Sequence, residues 1–63
     1  MIINIEKLEI ILVNNDMNFK DLMKKTNLSS GSINKIKKGE NVRLKTISKI
    51  VKALKIDAQE IIE

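Results

Sequence analysis

Cysteine, histidine and proline are absent from the 63 residues, and Phe19 is the only aromatic side chain. A chain without cysteine and histidine has no disulfide framework and lacks the usual ligands of a zinc site. It also lacks the side chains that most often act as catalytic bases and nucleophiles, and its carboxylates lie mainly near the two ends. We therefore expect neither an enzyme nor a protein with a metal or cofactor.

Long apolar runs are missing as well. No 18 apolar residues occur together, and residues 1–10, MIINIEKLEI, have neither a basic start with a long apolar run nor a small-residue cleavage site. We expect a cytoplasmic protein that does not contact a membrane. The chain contains no repeat, low-complexity tract or linker, so residues 1–63 are expected to form a single domain too small for a large catalytic cavity.

Positive charge is concentrated in the middle of the chain. The formal net charge is +4, but residues 20–55 hold eleven Lys and Arg residues against Asp21 and Glu40, which gives this segment +9. Residues 1–19 carry one lysine against three carboxylates, and residues 56–63 carry three carboxylates alone. A partner of the middle segment should be a polyanion. The alternative is a solvated charged surface without a partner.

A hydrophobic content of 43% without proline favours an all-α domain. Asn4 and Asn18 stand where they could cap two helices, the first of which carries Ile5 and Leu8 on its inner side. The apolar density of the segment LEIILV would also suit a buried strand. Asn27 tolerates a left-handed backbone and is expected to end the second helix.

The third helix is predicted from Ser30 to about Lys38, with Ser29 as its cap and Gly39 closing it in a left-handed conformation. A fourth helix follows the segment ENVR, and DAQE predicts a capping box that starts a fifth. The apolar stripe of the fourth helix comprises Leu44, Ile47, Ile50, Val51 and Leu54. A domain of five short helices therefore fits the chain.

Helices two and three, with the tight turn between them, have the dimensions of a helix-turn-helix. The third helix begins with Ser-Ser-Gly-Ser, which is poor helix-forming material. In a helix-turn-helix the start of the second helix enters the DNA major groove, where small side chains let the backbone approach and free amides favour phosphate. The alternative is that Ser30, Gly31 and Ser32 merely start a surface helix.

Two segments, FKDLMKKTNLSSGSINKIKKGE and TISKIVKALKIDAQEII, are similar to the lambda-repressor-like DNA-binding domains of the Xre/Cro type. The resemblance runs from about Leu8 to Ile62 and implies a compact five-helix domain with a helix-turn-helix formed by helices two and three. The positions that face DNA by this resemblance are Ser29, Ser30, Gly31, Asn34 and Lys35, with Ser32 nearby. The positions that approach the sugar-phosphate backbone are Lys38, Arg43 and Lys45.

Three features depart from the family's pattern. Met23 replaces a small alanine in helix two and would push this helix away from helix three unless its flexible stem finds a gap. Phe19 replaces a glutamine that bonds the DNA backbone, and we expect it to turn into the core instead. Leu12 and Lys37 stand where many members have an ion pair, so we expect an apolar contact and a solvated lysine there.

Asn34 and Lys35 are the candidates for sequence readout, since asparagine can bond adenine bidentately and lysine can reach the acceptors on guanine. Either could instead be a plain exposed helical residue. Lys37 and Lys38 are expected to contact phosphates, because lysine is a flexible point charge. Three further lysines are expected to be solvated, since helix four need not touch the duplex: Lys49, Lys52 and Lys55.

A helix-turn-helix of this size has a small footprint, so specific binding normally requires two copies on a symmetric site. Ile10 and Val13 lie roughly opposite the core side of helix one, and Ile2 and Ile3 precede it. These four side chains are a candidate dimer contact. Alternatively, they close the open end of the domain, and the carboxyl end of the chain is a rival dimer surface.

The sequence thus predicts a sequence-specific, double-stranded DNA-binding regulator of transcription, a repressor that occupies a two-fold operator as a homodimer. No small-molecule effector is implied, and resemblance to small phage and mobile-element regulators suggests control by concentration, competition or a partner protein. Two alternatives remain. One is a helix-turn-helix antitoxin that binds DNA and a toxin, and the other is a protein-interaction module whose basic face meets an acidic protein and never DNA.

Overall fold

Four α-helices follow one another along the chain, separated by short connections. The computed structural model describes residues 1–63, with α1 at Ile5–Asn14, α2 at Phe19–Thr26, α3 at Ser30–Lys37 and α4 at Leu44–Leu54. The predicted all-α class is confirmed. The segment LEIILV lies within α1 and is helical, so the strand that it would also have suited does not form.

The fifth predicted helix is wrong, because Ala58–Glu60 forms only a 3-10 turn of three residues. The predicted capping box is present, and the Asp57 N–H donates to Glu60 Oε2 at 2.8 Å. The residues after the turn do not continue it. The N–H groups of Ile61 and Ile62 still donate to the Ala58 carbonyl, but the Ile61 carbonyl accepts from the Asn4 N–H at 2.6 Å and the Glu63 N–H donates to the Ile2 carbonyl at 3.1 Å.

The segment before α1 joins three parts of the chain. Ile3 forms an antiparallel bridge with Ile62, and Ile2 forms one with Asn41 in the connection between α3 and α4. Ile3 is only 1% exposed and Ile2 is half-buried. The expectation of a dimer contact is therefore wrong for Ile3, and both residues close the end of the domain as in the alternative.

The predicted side-chain caps begin three of the helices. The capping oxygen accepts a hydrogen bond from the N–H three residues further on, at 3.1 Å for Asn4, 2.8 Å for Asn18 and 3.2 Å for Ser29. Asn27 ends α2 with a φ of 60°, and Gly39 follows α3 with a φ of 74°. Both are left-handed as predicted, so side chains close in sequence determine these helix ends.

The hydrophobic core draws on all four helices and on both ends of the chain. Its ten buried side chains are Ile3, Leu8, Leu12, Leu22, Ile33, Ile36, Ile47, Ile50, Leu54 and Ile61. Leu44 was predicted among the inner residues of α4, and this prediction is wrong because its side chain is 69% exposed. Leu44 is the first residue of α4, where no other element covers it.

The three departures from the family's pattern are accommodated in the packing. Met23 is half-buried and packs against the core. Phe19 is also half-buried against the core, as predicted. Lys37 is not simply solvated, because its Nζ lies 4.8 Å from the centroid of the Phe19 ring. A cation–π contact of this kind, worth about 0.5–1 kcal/mol at an exposed site, stands where many members have an ion pair.

Candidate nucleic-acid interface

The first turn of α3 is open to solvent. Ser29, Ser30 and Gly31 are exposed, and Ser32 is half-buried. The Ser29 hydroxyl accepts from the Ser32 N–H at 3.2 Å and lies 3.2 Å from the Ser32 hydroxyl. The N–H groups of Ser30 and Gly31 have no partner within the protein, as is usual at a helix start. These two donors are available to an external acceptor such as phosphate.

Gly31 is not required by the fold. A Cβ built at this position would meet only the Ser29 hydroxyl oxygen, at 3.8 Å, which is an ordinary contact. Its backbone conformation is helical, so an alanine would be accepted and would favour the helix. The absence of a side chain at this position is therefore not needed for packing inside the domain, and it leaves the helix start accessible from outside.

Four exposed residues form one face of α3 and its end. Gly31, Asn34, Lys35 and Lys38 follow the spacing i, i+3, i+4, i+7, which places residues on one side of a helix. The opposite side is buried through Ile33 and Ile36. The core thus fixes which side of α3 faces outward, and the outward side carries an amide and two ammonium groups next to the open first turn.

The start of α4 lies beside this face. A shallow groove of about 290 Å³ is lined by Ser32, Lys35, Asn41, Val42, Arg43 and Thr46. It brings the Arg43 side chain, which precedes α4, together with Lys35 of α3. The connection that carries Arg43 is held in place from the other end of the chain, because the Val42 N–H donates to the Met1 carbonyl at 2.8 Å.

A second groove of about 270 Å³ continues from the first. Its lining residues are Asn27, Leu28, Ser29, Ser32, Arg43, Lys45, Thr46 and Lys49. This groove brings Lys45 of α4 close to the start of α3. The two grooves share Ser32, Arg43 and Thr46. The predicted site residues therefore fall into two groups. Ser29, Ser32, Lys35, Arg43 and Lys45 line the grooves, whereas Ser30, Gly31, Asn34 and Lys38 are exposed on α3 without lining them.

Two polar residues of the first groove, Asn41 and Thr46, were not among the predicted site residues. Asn41 lies in the connection between α3 and α4, whose sequence has no helical periodicity. Its position depends on the antiparallel bridge to Ile2. No local pattern could have indicated it. Thr46 could have been found, since it is one position from Lys45 in the first turn of α4 and directly precedes the buried Ile47.

The start of α4 is electrostatically suited to an anion. Arg43 occupies the cap position without a side-chain hydrogen bond to the helix, and the first turn contains no acidic residue. Lys45 lies in that first turn. Two cations thus flank the positive end of the α4 dipole, and the first turn of α4 contains no carboxylate. This helix start is therefore complementary to an anion such as phosphate.

The α2 and α3 helices and the tight turn between them form a helix-turn-helix, and the open start of α3 lies beside the basic start of α4. The family model described as the Cro/C1-type HTH DNA-binding domain matches residues 7–63. The chain belongs to this family, which confirms the resemblance seen in its sequence, and membership indicates a DNA-binding regulator of transcription. No curated protein and no solved structure matches the chain significantly. None of its helices is long and apolar enough to cross a membrane.

Proposed function

We propose that residues 1–63 act as one sequence-specific DNA-binding domain that represses transcription, binding a two-fold operator as a homodimer without catalysis or a small-molecule effector. One observation carries the proposal. The outward face of α3, with Gly31, Asn34, Lys35 and Lys38, lies beside the cationic start of α4 formed by Arg43 and Lys45. A duplex offers base edges to the first set and phosphates to the second.

The side chains of α3 divide the work of binding. Asn34 and Lys35 are proposed to read base edges, since both are exposed and bear groups that fit adenine and guanine in the major groove. The first turn, with Ser29, Ser30, Gly31 and Ser32, is proposed to approach the duplex closely. Its small side chains and the free N–H groups support this role.

The phosphate contacts are proposed to come from the end of α3 and the start of α4. Lys38, Arg43 and Lys45 are exposed and flexible, and they carry charge without a geometry that selects one base. Lys37, which the sequence also predicts to contact phosphate, is left out of this set of residues, because its ammonium lies over the Phe19 ring.

The proposed homodimer contact now rests on two side chains of α1. Ile10 is 61% exposed and Val13 is 71% exposed, and their spacing of three places them on one face of the helix. Ile10→Glu should abolish dimer formation on DNA while leaving the helical circular dichroism signal intact, since the side chain does not belong to the core. Sedimentation or light scattering of the protein–DNA complex measures this, and an unchanged dimer places the contact elsewhere.

The proposed reading of sequence is tested by selecting preferred sites from a random DNA pool. Affinities for a preferred site and for a random duplex of equal length are then compared. Asn34→Ala or Lys35→Ala should cost about 1–3 kcal/mol on the preferred site and less on random DNA. Lys38→Ala is the matched control on the same face, and it should weaken both duplexes by similar factors. Equal losses on both duplexes for all three variants would contradict base readout by α3.

A further inference from the structure

Four lysines converge on a third depression of the surface. It has a volume of about 570 Å³ and is lined by Lys25, Thr26, Asn27, Lys49, Lys52, Ala53 and Lys55. The lysines come from the last turn of α2, from α4 and from the residue that ends α4. They are separated by up to 30 positions in the sequence, and the packing of α2 against α4 brings them together.

No carboxylate lines this depression. Lysines near helix carboxyl ends interact favourably with the helix dipole, which accounts for one or two cations at each end. It does not account for Lys49, which lies in the middle of α4. Like charges around one depression repel each other when no counter-charge is present, so their grouping favours an anionic ligand with several charges.

The depression continues the candidate DNA interface. It shares Asn27 and Lys49 with the groove at the starts of α3 and α4. That groove in turn shares Arg43 with the groove beside Lys35. A connected basic surface therefore extends from the outward face of α3 along α4 to its carboxyl end.

We propose that the depression formed by Lys25, Lys49, Lys52 and Lys55 binds backbone phosphates of DNA that flanks the bases read by α3. This proposal rests on the proposed function and extends its footprint. From Lys45 to Lys52 the chain advances seven helical residues, about 10 Å along α4. Phosphates bound at this distance from Lys45 would belong to DNA outside the bases that α3 is proposed to read. Continuity with the DNA-facing grooves favours a duplex over an acidic protein as the occupant.

Salt titration of duplex binding tests the proposal with two double variants of equal charge change. Lys25→Gln with Lys52→Gln removes two cations from the depression. Lys7→Gln with Lys24→Gln removes two exposed cations that line none of the three grooves. All four side chains are exposed, so both variants should fold, and thermal unfolding verifies this. Because phosphate binding needs no particular sequence, a random duplex serves as the probe.

The expected result is a difference between the two variants. The depression variant should lose about two units of the log–log salt slope per bound protomer and bind roughly eightfold more weakly per lost contact at 0.1 M salt. The control variant should change the slope by well under one unit. Equal changes in both variants would overturn the proposal, since net charge alone would then explain them.

Two further outcomes separate the proposals from each other. If the unmodified protein binds duplex weakly and without salt dependence, the proposed function fails. If it binds with a steep slope and the depression variant keeps that slope, only the extended footprint fails. Polyglutamate is a final probe, and its loss of binding in the depression variant with unchanged duplex binding would assign the depression to an acidic protein.

Discussion

The starts of the first two helices differ from those of the last two. The α1 and α2 helices begin with asparagine caps and carry an acidic residue in the first turn, Glu6 and Asp21. The α3 and α4 helices have no acidic residue there, and α4 has no side-chain cap at all. An acidic residue in the first turn stabilises a helix because its negative charge interacts favourably with the positive end of the helix dipole. The last two helices forgo this stabilisation, and the positive ends of their dipoles stay available to an external anion.

The largest expected effect comes from giving α3 the acidic first turn that it lacks. Gly31→Glu should leave the domain at least as stable, since the position is open and a carboxylate favours a helix start. DNA binding should fall by more than hundredfold, because like charges facing each other across an interface cost several kcal/mol. Fluorescence anisotropy with a labelled duplex and urea unfolding measure the two effects.

Gly31→Gln is the control for Gly31→Glu, because it adds the same bulk without the charge. It should reduce affinity by much less. If both variants bind equally weakly, the bulk of the side chain excludes the duplex and the electrostatic contrast between the helix starts is wrong at this position.

A smaller effect is expected at the start of α4. Arg43→Ala should reduce the log–log salt slope by about one unit, equivalent to roughly eightfold weaker binding at 0.1 M salt. Its stability should hardly change, since the Arg43 side chain makes no capping hydrogen bond. A loss of stability without a change in slope would mean that this cation serves the fold.

At the start of α2 we expect the opposite pattern, a loss of stability without a loss of DNA affinity. Asn18→Ala removes a cap that accepts from the Asp21 N–H at 2.8 Å and should cost about 1 kcal/mol of stability. In a domain of this size that lowers the midpoint of thermal unfolding by about 4–8 °C. DNA affinity measured well below the midpoint should stay the same, and a strong loss of affinity would show that this helix start also contacts the duplex.

The smallest effect is a gain. Gly31→Ala should raise the free energy of unfolding by roughly 0.5 kcal/mol, because alanine has a higher helix propensity than glycine and its Cβ would meet only the Ser29 hydroxyl, at 3.8 Å. Chemical denaturation measures this. A destabilised variant would mean that the fold requires glycine at position 31. The start of α3 would then no longer support the contrast between the two pairs of helix starts.

The parts of the fold that could be predicted depend on neighbours in the sequence. A side-chain cap acts across three residues, so Asn4, Asn18 and Ser29 indicated three helix starts correctly. The same holds for the left-handed residues Asn27 and Gly39. Amphipathic spacing likewise indicated most of the core, because one helical turn repeats within four residues.

The predictions that failed concern contacts between distant segments. The capping box at Asp57 forms, yet only a 3-10 turn follows it, because the Ile61 carbonyl and the Glu63 N–H bond the segment before α1. Periodicity placed Leu44 inside, but burial also requires a second element to cover the side chain. The cation–π contact between Lys37 and Phe19, which lie 18 positions apart in the sequence, was not predicted at all, because no local rule relates these two residues.

The sequence by itself determined the four α-helices, the caps of three of them, the family and the outward residues of α3, since all of these follow from short-range chemistry and spacing. Only the tertiary structure decided how the pieces meet. It placed Arg43 beside Lys35 by fixing the connection through Ile2 and Asn41, and it gathered four lysines from α2 and α4 around one depression. The physical reason is that such contacts form when the core closes, and the core is a property of the whole chain.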